Sequence, residues 1–256
     1  MNCTILVTVR TASTRLPRKA LLRIKNKPLI KLLIDRISTS KNFRKIVVCT
    51  TTEKSDDALV EYLQDNGMEV FRGDNVDILK RLYLAAKKYK AKHFVVVEGD
   101  DIFCDPKLID KTCMELSKKH YEFITWKNLP FGVSPIGIQT NKLEILIKNK
   151  LTKNTETGWG KFIVESGFFK AVQLKPYNKK LIRPEIRLSV DYIEDYMLVK
   201  KIYKNLPATF SLKDIINLLD TNHTWLKINE SVKKKYEVNF QKKMTKIALK
   251  KKGNRK

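Results

Sequence analysis

The first half of the chain alternates short apolar runs, rich in β-branched residues, with amphipathic helical patterns. Strands are predicted over Cys3–Val9, Lys45–Thr50, Met68–Phe71 and His93–Val97. Helices are predicted over Leu29–Ile37, Asp56–Asn66, Val76–Tyr89 and Pro106–Lys118. Strands and helices that alternate at this spacing are joined by right-handed crossovers, which build a parallel sheet. The pattern therefore predicts an α/β fold whose sheet is covered by helices on both faces.

The second half of the chain is less regular. Strands are predicted over Phe123–Trp126, Ser134–Thr140, Phe168–Leu174 and Glu185–Val190, and helices over Lys142–Lys148, Ile193–Tyr203 and from Leu212. The polar, glycine-containing stretch Thr152–Gly167 predicts a flap. Since no linker rich in Pro, Gly or Ser divides the chain, we expect one domain over residues 1–230, with a flap at about 125–175, and a basic tail over 231–256.

The tail carries many lysines and almost no carboxylates. This composition predicts a helix that frays into disorder and is dispensable for the chemistry, because it has little apolar surface to offset the entropy of ordering. The alternative is that Tyr236, Phe240 and Met244 form a stripe that completes the core or a dimer contact.

The charge is strongly basic, with 52 Lys and Arg against 27 Asp and Glu, a net +25. Such a surface attracts polyanions. The lysines are spread along the chain, and no recognition-helix, RNP-like or zinc-finger motif is present. A generally solvated surface, attraction of nucleotide and acidic substrates, and dedicated nucleic-acid binding are the three interpretations that this leaves.

The cysteines and histidines show no metal-binding pattern. Four cysteines without a C-x-x-C pair predict reduced, mostly buried thiols in a reducing compartment. Three scattered histidines argue against a catalytic zinc. No apolar run approaches the ~20 residues that span a bilayer, and arginines follow Met1–Val9 where a signal peptide would have its cleavage site. We therefore expect a cytoplasmic protein.

The loop after the first strand, Arg10–Lys19, packs four cations and three hydroxyl residues into ten positions. Ligands of open α/β sheets bind outside the carboxyl ends of the strands, so this loop is well placed for binding. Inward-turned amides with Arg and Lys donors suit a triphosphate, although the sequence is neither a Walker A loop nor G-x-G-x-x-G. On charge alone, a solvated basic loop is an equal alternative.

The order of residues in this loop resembles the signature of the spore-coat polysaccharide cytidylyltransferases, which are related to CMP-Kdo and CMP-sialate synthetases. Further family motifs are matched in the same order by Lys27-Pro28-Leu29-Ile30, Phe71-Arg72-Gly73-Asp74, Glu98-Gly99-Asp100-Asp101 and Val190-Asp191-Tyr192 followed by Glu194-Asp195. The sequence departs from the family pattern at Arg18, usually glycine, and at Glu98, often glutamine.

The resemblance implies a Rossmann-like nucleotide-diphospho-sugar transferase fold. This is a three-layer α/β/α sandwich with a mixed, mainly parallel sheet and a small flap that commonly mediates homodimerisation. By the same resemblance, Asp100 and Asp191 would bind Mg²⁺, and Arg15, Lys19 and Asp100 would be catalytic. The CTP-binding residues would be Arg10, Thr11, Ser13, Arg15, Lys19, Arg72 and Gly99. Two carboxylates with phosphate oxygens are a usual Mg²⁺ site.

The acceptor side is less determined. Gln139, Trp159 and Arg187 are candidate substrate residues. Trp159, between two glycines, would either stack on a ligand or anchor a loop. Arg187 would either pair with an anionic acceptor or belong to a surface strand.

The sequence thus predicts a cytidylyltransferase that joins CMP from CTP to an acidic sugar or related acceptor, releases pyrophosphate, and serves surface glycan synthesis. The alternatives are a phosphonate, polyol phosphate or sugar phosphate acceptor, and a basic nucleic-acid-binding protein on an inactive fold.

Overall fold

A computed structural model describes residues 3–244 and 248–250 of the chain. The strands are β1 (Cys3–Thr8), β2 (Arg23–Ile24), β3 (Lys27–Pro28), β4 (Lys45–Thr51), β5 (Glu69–Gly73), β6 (His93–Glu98), β7 (Phe123–Trp126), β8 (Ile136–Gln139) and β9 (Ala171–Leu174). The α-helices are α1 (Leu29–Ile37), α2 (Asp57–Asp65), α3 (Ile78–Lys88), α4 (Pro106–Ser117), α5 (Thr140–Asn149), α6 (Trp159–Glu165), α7 (Ile193–Asn205), α8 (Leu212–Thr221) and α9 (Glu230–Lys243).

Seven strands form one mixed sheet in the order β5-β4-β1-β6-β8-β7-β9. β5, β4, β1 and β6 run parallel, so their carboxyl ends meet at one edge. β8 pairs antiparallel with both β6 and β7, and β9 pairs parallel with β7. The predicted mainly parallel sheet is therefore confirmed, and β1 lies at its centre beside β6.

Helices cover both faces of the sheet. Alternate residues of β1 point to opposite faces, as the pleat requires, so Ile5 and Val7 join one buried cluster and Leu6 joins the other. The first cluster includes apolar residues of α1, α2, α4, α7 and α8. The second includes those of α3, α5 and α6. This is the predicted three-layer α/β/α sandwich.

The prediction of a strand over Glu185–Val190 is wrong. This segment is extended, and its alternate residues Ile186, Leu188 and Val190 are buried, which is what produced the strand-like pattern. Its only strand-like pairing in the described chain is one bridge, between Phe131 and Arg187. The alternation of apolar residues predicted their burial correctly, but within the described residues no strand pairs with this segment to form a ladder.

Residues 125–175, expected as a flap, contribute strands to the main sheet as well as a helix outside it. β8, β9 and the end of β7 fall in this range. Within Thr152–Gly167 the chain forms α6, whose side chains Trp159, Phe162 and Ile163 are buried. The glycines and polar residues of this stretch therefore surround a short packed helix.

The prediction that all four cysteines are reduced thiols is wrong. Cys3 at the start of β1 and Cys113 on α4 form a disulfide, with their Cα atoms 5.8 Å apart. The two residues are 110 positions apart in sequence, so their spacing gave no sign of the pair. Cys49 and Cys104 are free and buried. No helix of residues 3–244 is long and apolar enough to cross a membrane.

Candidate active site

A cavity of 460 Å³ opens at the carboxyl ends of β1 and β6. Its walls come from the loop after β1, the end of β6, residues 156–161, residues 189–191 and helix α9. Gly99 lies at its floor, where a Cβ atom would sit 2.6 Å from the Cβ of Val9 and 2.9 Å from the carbonyl oxygen of Thr8. Only glycine lets the β6 end approach the β1 end this closely, which brings the two loops together.

The loop after β1 is fastened by the carboxylate of Asp56. The backbone N–H and the hydroxyl of Thr11 each donate to Oδ1 of Asp56 at 2.7 Å. The hydroxyl groups of Thr50 and Thr51 donate to its Oδ2 at 2.7 and 2.5 Å. Burial acts to raise the pKa of Asp56, but these hydrogen bonds outweigh it and hold the pKa below its usual value. Thr11, predicted as a nucleotide contact, is buried and supports the loop from behind.

Lys19 lies at the centre of the site. Its Nζ atom donates to Oδ2 of Asp100 at 2.5 Å, to Oδ1 of Asp191 at 2.9 Å and to the carbonyl oxygen of Val190 at 2.8 Å. Burial acts to lower the pKa of Lys19, but the two carboxylates outweigh it and raise the pKa. The ammonium group is therefore charged and holds together the two aspartates that the sequence singled out.

Two arginines bracket Asp191, one on each carboxylate oxygen. Arg15 donates to Oδ1 at 2.5 Å, and Arg187 donates to Oδ2 at 2.7 Å. Arg187 also contacts Asp195 at 3.0 Å, and only 6% of its side chain is exposed. Arg187 is thus a buried support for Asp191. It is neither free to pair with an acceptor nor part of a surface strand, the two alternatives that the sequence left open.

Two further carboxyl groups lie beside Asp100. The indole N–H of Trp159 donates to Oε1 of Glu98 at 3.0 Å. Burial, assisted by the charge of Asp100, raises the pKa of Glu98 to about 7 and that of Asp101 well above its usual value. Oxygen atoms of Glu98, Asp100 and Asp101 lie within 4.8 Å of one another. Trp159 is buried and also lines the cavity, so both of its predicted roles stay predictions.

Glu156 joins the cavity wall to the loop after β1. Its Oε1 accepts from Arg81 of α3 at 2.8 Å, and its Oε2 lies 3.5 Å from Nε of Arg10. Arg81 is 1% exposed, whereas 41% of the Arg10 side chain is accessible. Arg10 and Ser13, both predicted CTP-binding residues, line the cavity.

Four predicted site residues do not line this cavity: Thr11 and Arg187, which support it from behind, and Arg72 and Gln139, which lie farther away. Arg72 donates to the carbonyl oxygens of Thr51 and Glu53 at 2.9 and 2.8 Å, so it fixes the turn after β4. Gln139 ends β8 opposite His93, the first residue of β6, because the two strands run antiparallel. It therefore lies at the far edge of the sheet, where its amide donates to the carbonyl oxygen of Leu116.

Helix α9 supplies cavity residues that were not among the predicted site. Tyr236, Asn239 and Phe240 line the cavity, and the Tyr236 ring lies 5.4 Å from the guanidinium carbon of Arg15. For α9 the structure agrees with the alternative given for this segment, in which Tyr236, Phe240 and Met244 form a packing stripe. The signal was the spacing of Tyr236, Phe240 and Met244 at every fourth position, which is one face of a helix.

Comparison with known proteins identifies the family to which the sequence is similar. Residues 4–215 match the family model for cytidylyltransferases. The chain is 33% identical over 232 residues to the uncharacterized protein MJ1063 of Methanocaldococcus jannaschii, covering 90% of this chain and 95% of that one. It is 25% identical over 224 residues to the spore coat polysaccharide biosynthesis protein SpsF of Bacillus subtilis, covering 85% and 93%.

The fold is similar to the solved structure of a cytidylyltransferase from Leptospira borgpetersenii. The TM-score is 0.77 at 27% identity, with 88% of this chain and 97% of that chain covered. The matched range includes the loop after β1 and all the carboxylates described above. The chain therefore belongs to the cytidylyltransferase family of nucleotidyltransferase enzymes.

Proposed function

We propose that this chain is a magnesium-dependent enzyme that transfers CMP from CTP to an acidic sugar or a related small acceptor. Pyrophosphate is released, and the product serves the synthesis of a surface glycan or glycoconjugate. The single observation that carries the proposal is the convergence of Asp100 and Asp191 on the Lys19 ammonium group, within 2.9 Å of both.

The carboxylates fit a divalent cation. Oxygen atoms of Asp100 and Asp191 already face one positive group, and carboxylate oxygens are the ligands that Mg²⁺ prefers. Asp100 and Asp191 would hold the ion. When bound there, the metal would neutralise charge on the phosphates and on the acceptor oxygen.

The cations of the loop after β1 serve the triphosphate. Arg10, Arg15 and Lys19 line the cavity, and Arg15 and Lys19 form ion pairs with Asp191 and Asp100. The guanidinium group of Arg15 has five N–H donors and uses one on Asp191, so the others can bind phosphate oxygens without moving the side chain. The flexible side chain of Lys19 can turn from a carboxylate to a phosphate oxygen with little change in the backbone. The acceptor oxygen then forms a bond to the α-phosphorus as the bond to the pyrophosphate oxygen breaks. Arg15 and Lys19 stabilise the negative charge on the departing pyrophosphate.

The acceptor class rests on charge and on kinship. The cavity wall also carries Lys161, in addition to the loop cations assigned to the triphosphate, and this lysine favours an anionic acceptor. The relative SpsF is described as a spore coat polysaccharide biosynthesis protein, which favours a glycan pathway.

Homodimerisation is part of the proposal, and Leu151 and Val164, both 56% exposed near the flap, offer apolar surface for it. Light scattering would measure the dimer.

The experiment is a turnover screen. Pyrophosphate release from each of the four nucleoside triphosphates is measured with Mg²⁺ and with EDTA, against acidic sugars, sugar phosphates, polyol phosphates and phosphonates. We expect release from CTP with an acidic sugar, and none in EDTA. Preference for another nucleotide, or turnover that EDTA leaves unchanged, would refute the corresponding part of the proposal.

A further inference from the structure

The chain beyond α8 forms part of the cavity wall. Before α9, the side-chain amide of Asn229 donates to Oδ1 of Asp195 at 2.8 Å. The helix then lines the cavity with Tyr236, Asn239 and Phe240, and Met244 at its end lies beside Gly158, another residue of the cavity wall. Further on, Leu151 donates its backbone N–H to the carbonyl oxygen of Ala248 at 2.7 Å. We call residues 230–244 and 248–250 the C-terminal strap.

Tyr236 contacts both arginines that bracket Asp191. The guanidinium carbon of Arg187 lies 4.5 Å from the centre of its ring, and that of Arg15 lies 5.4 Å away. Tyr192 contacts Arg15 at the same distance of 5.4 Å, so two aromatic rings flank this guanidinium group. An aromatic ring attracts the guanidinium cation and so restricts the rotation of the arginine side chain. The arginine keeps its charge, because no proton is transferred.

The rest of α9 does not explain why it lies here. Most of its described side chains are exposed, and Val232 is the buried one among them. Tyr236 packs on Phe131, with ring centres 5.2 Å apart, and on Phe240, at 6.0 Å. The apolar contacts of the helix are therefore concentrated on the face that meets the cavity.

We propose that Tyr236 is a positioning residue of the active site, which holds Arg15 and Arg187 on either side of Asp191 and so prepares the site for the triphosphate. The C-terminal strap lies beyond residue 215, where the match to the family model ends. The inference rests on the proposed function only for its nucleotide measurement.

The test compares two substitutions at Tyr236. Tyr236→Leu removes the aromatic ring, and Tyr236→Phe keeps it. Val238→Ala is the matched control, because Val238 is 53% exposed on the same helix. Calorimetry measures the affinity of each variant for CTP with Mg²⁺, in the absence of an acceptor. We expect Tyr236→Leu to bind roughly five- to tenfold more weakly, and the other two to stay within about twofold of the wild type.

A double-mutant cycle separates positioning from general loosening of the fold. In an Arg15→Ala background, the penalty of Tyr236→Leu should fall to about twofold or less, because Arg15 is the one of the ring's two arginine partners that lines the cavity and can contact the nucleotide. The proposal is overturned if the full penalty persists there, if Tyr236→Leu binds like the wild type, or if Tyr236→Phe loses as much as Tyr236→Leu.

A second measurement needs no nucleotide. Hydrogen exchange of the amides of residues 10–19 should be faster in Tyr236→Leu than in the wild type, Tyr236→Phe and Val238→Ala. Unchanged exchange would overturn the positioning role. If no variant binds CTP, wild type included, the proposed function fails, and the exchange result still decides the role of Tyr236.

Discussion

The ammonium nitrogen of Lys19 lies 2.5 Å from Oδ2 of Asp100, and the same nitrogen also donates to Oδ1 of Asp191. A basic residue from the loop after β1 thus occupies the place where two carboxylates from distant loops converge. Only 13% of the Lys19 side chain is exposed, so solvent screens this charge cluster weakly. The contact links the phosphate loop to the metal carboxylates, and a bound cation would compete with Lys19 for them.

This competition makes a prediction about stability. In EDTA, Lys19→Ala should lower Tm by about 3–6 °C, because it leaves a partly buried pair of carboxylates without its shared cation. Mg²⁺ should then raise the Tm of the variant by more than it raises that of the wild type. Thermal denaturation with and without Mg²⁺ measures both effects.

Lys27→Ala is the matched control for that experiment. Lys27 pairs with Asp35 at 2.9 Å, but 56% of its side chain is exposed, so its removal should change neither Tm nor the response to Mg²⁺. An equal Mg²⁺ response in Lys19→Ala and the wild type would show that the ion binds elsewhere.

The carboxylates themselves are tested by Asp100→Asn and Asp191→Asn. Each substitution removes a charged metal ligand and keeps the size of the side chain, so turnover should fall about 100-fold or more. Titration with Mn²⁺, followed by electron paramagnetic resonance, should show weaker metal binding in both variants. Asp65→Asn, on the exposed side of α2, serves as the control. Near-wild-type turnover in both site variants would exclude the metal assignment.

Asp56 makes the stability of the fold depend on pH in the acid range. Its hydrogen bonds hold its pKa in the folded protein below its ordinary value of 3.8. Their stabilisation of the fold is therefore complete above that pH and is lost as the pH falls through the lowered pKa. At pH 7, Asp56→Asn should lower the free energy of unfolding by about 1–3 kcal/mol, and this difference should shrink below pH 3.8.

Urea unfolding of wild type and Asp56→Asn over a pH series measures that difference. Asp57→Asn is the control, because Asp57 is the next residue and 58% of its side chain is exposed. A difference that stays constant down to pH 2.5 or rises on acidification would contradict the role assigned to the Asp56 carboxylate.

Local patterns were sufficient to predict most of the fold. The parallel strands have continuous apolar runs because both faces of the sheet are covered, as β6 shows. The start of α4 was also predicted, because Asp105 caps it and Pro106 opens its first turn. The segment Glu185–Val190 misled because burial alone can impose alternation. Whether an extended segment joins a sheet depends on a partner strand elsewhere in the chain.

Site residues could be predicted from the sequence only where they belong to motifs that follow each other in the family's order. Arg15, Lys19, Asp100 and Asp191 lie together, as the resemblance implied. Arg187 and Gln139 differ, because their roles depend on how the chain turns and not on residue type. The start of α7 brings Asp195, eight residues on, against Arg187, and the antiparallel direction of β8 carries Gln139 to the far edge. Composition also undervalued α9, because its few aromatic residues lie on one face.

The last prediction reverses the expectation that the basic tail is dispensable. Truncation after Glu230 removes Tyr236 from Arg15, Phe240 from the cavity wall and the pairing of Leu151 with Ala248. We expect a lower Tm and a loss of CTP affinity of roughly tenfold or more, since the loop after β1 and the flap lose a shared support. Truncation after Lys250 is the control, because it keeps every one of these contacts. Thermal denaturation and calorimetry measure the two effects. If a chain ending at Glu230 binds CTP as tightly as the control, the C-terminal strap is dispensable for CTP binding, as the composition of the tail predicted.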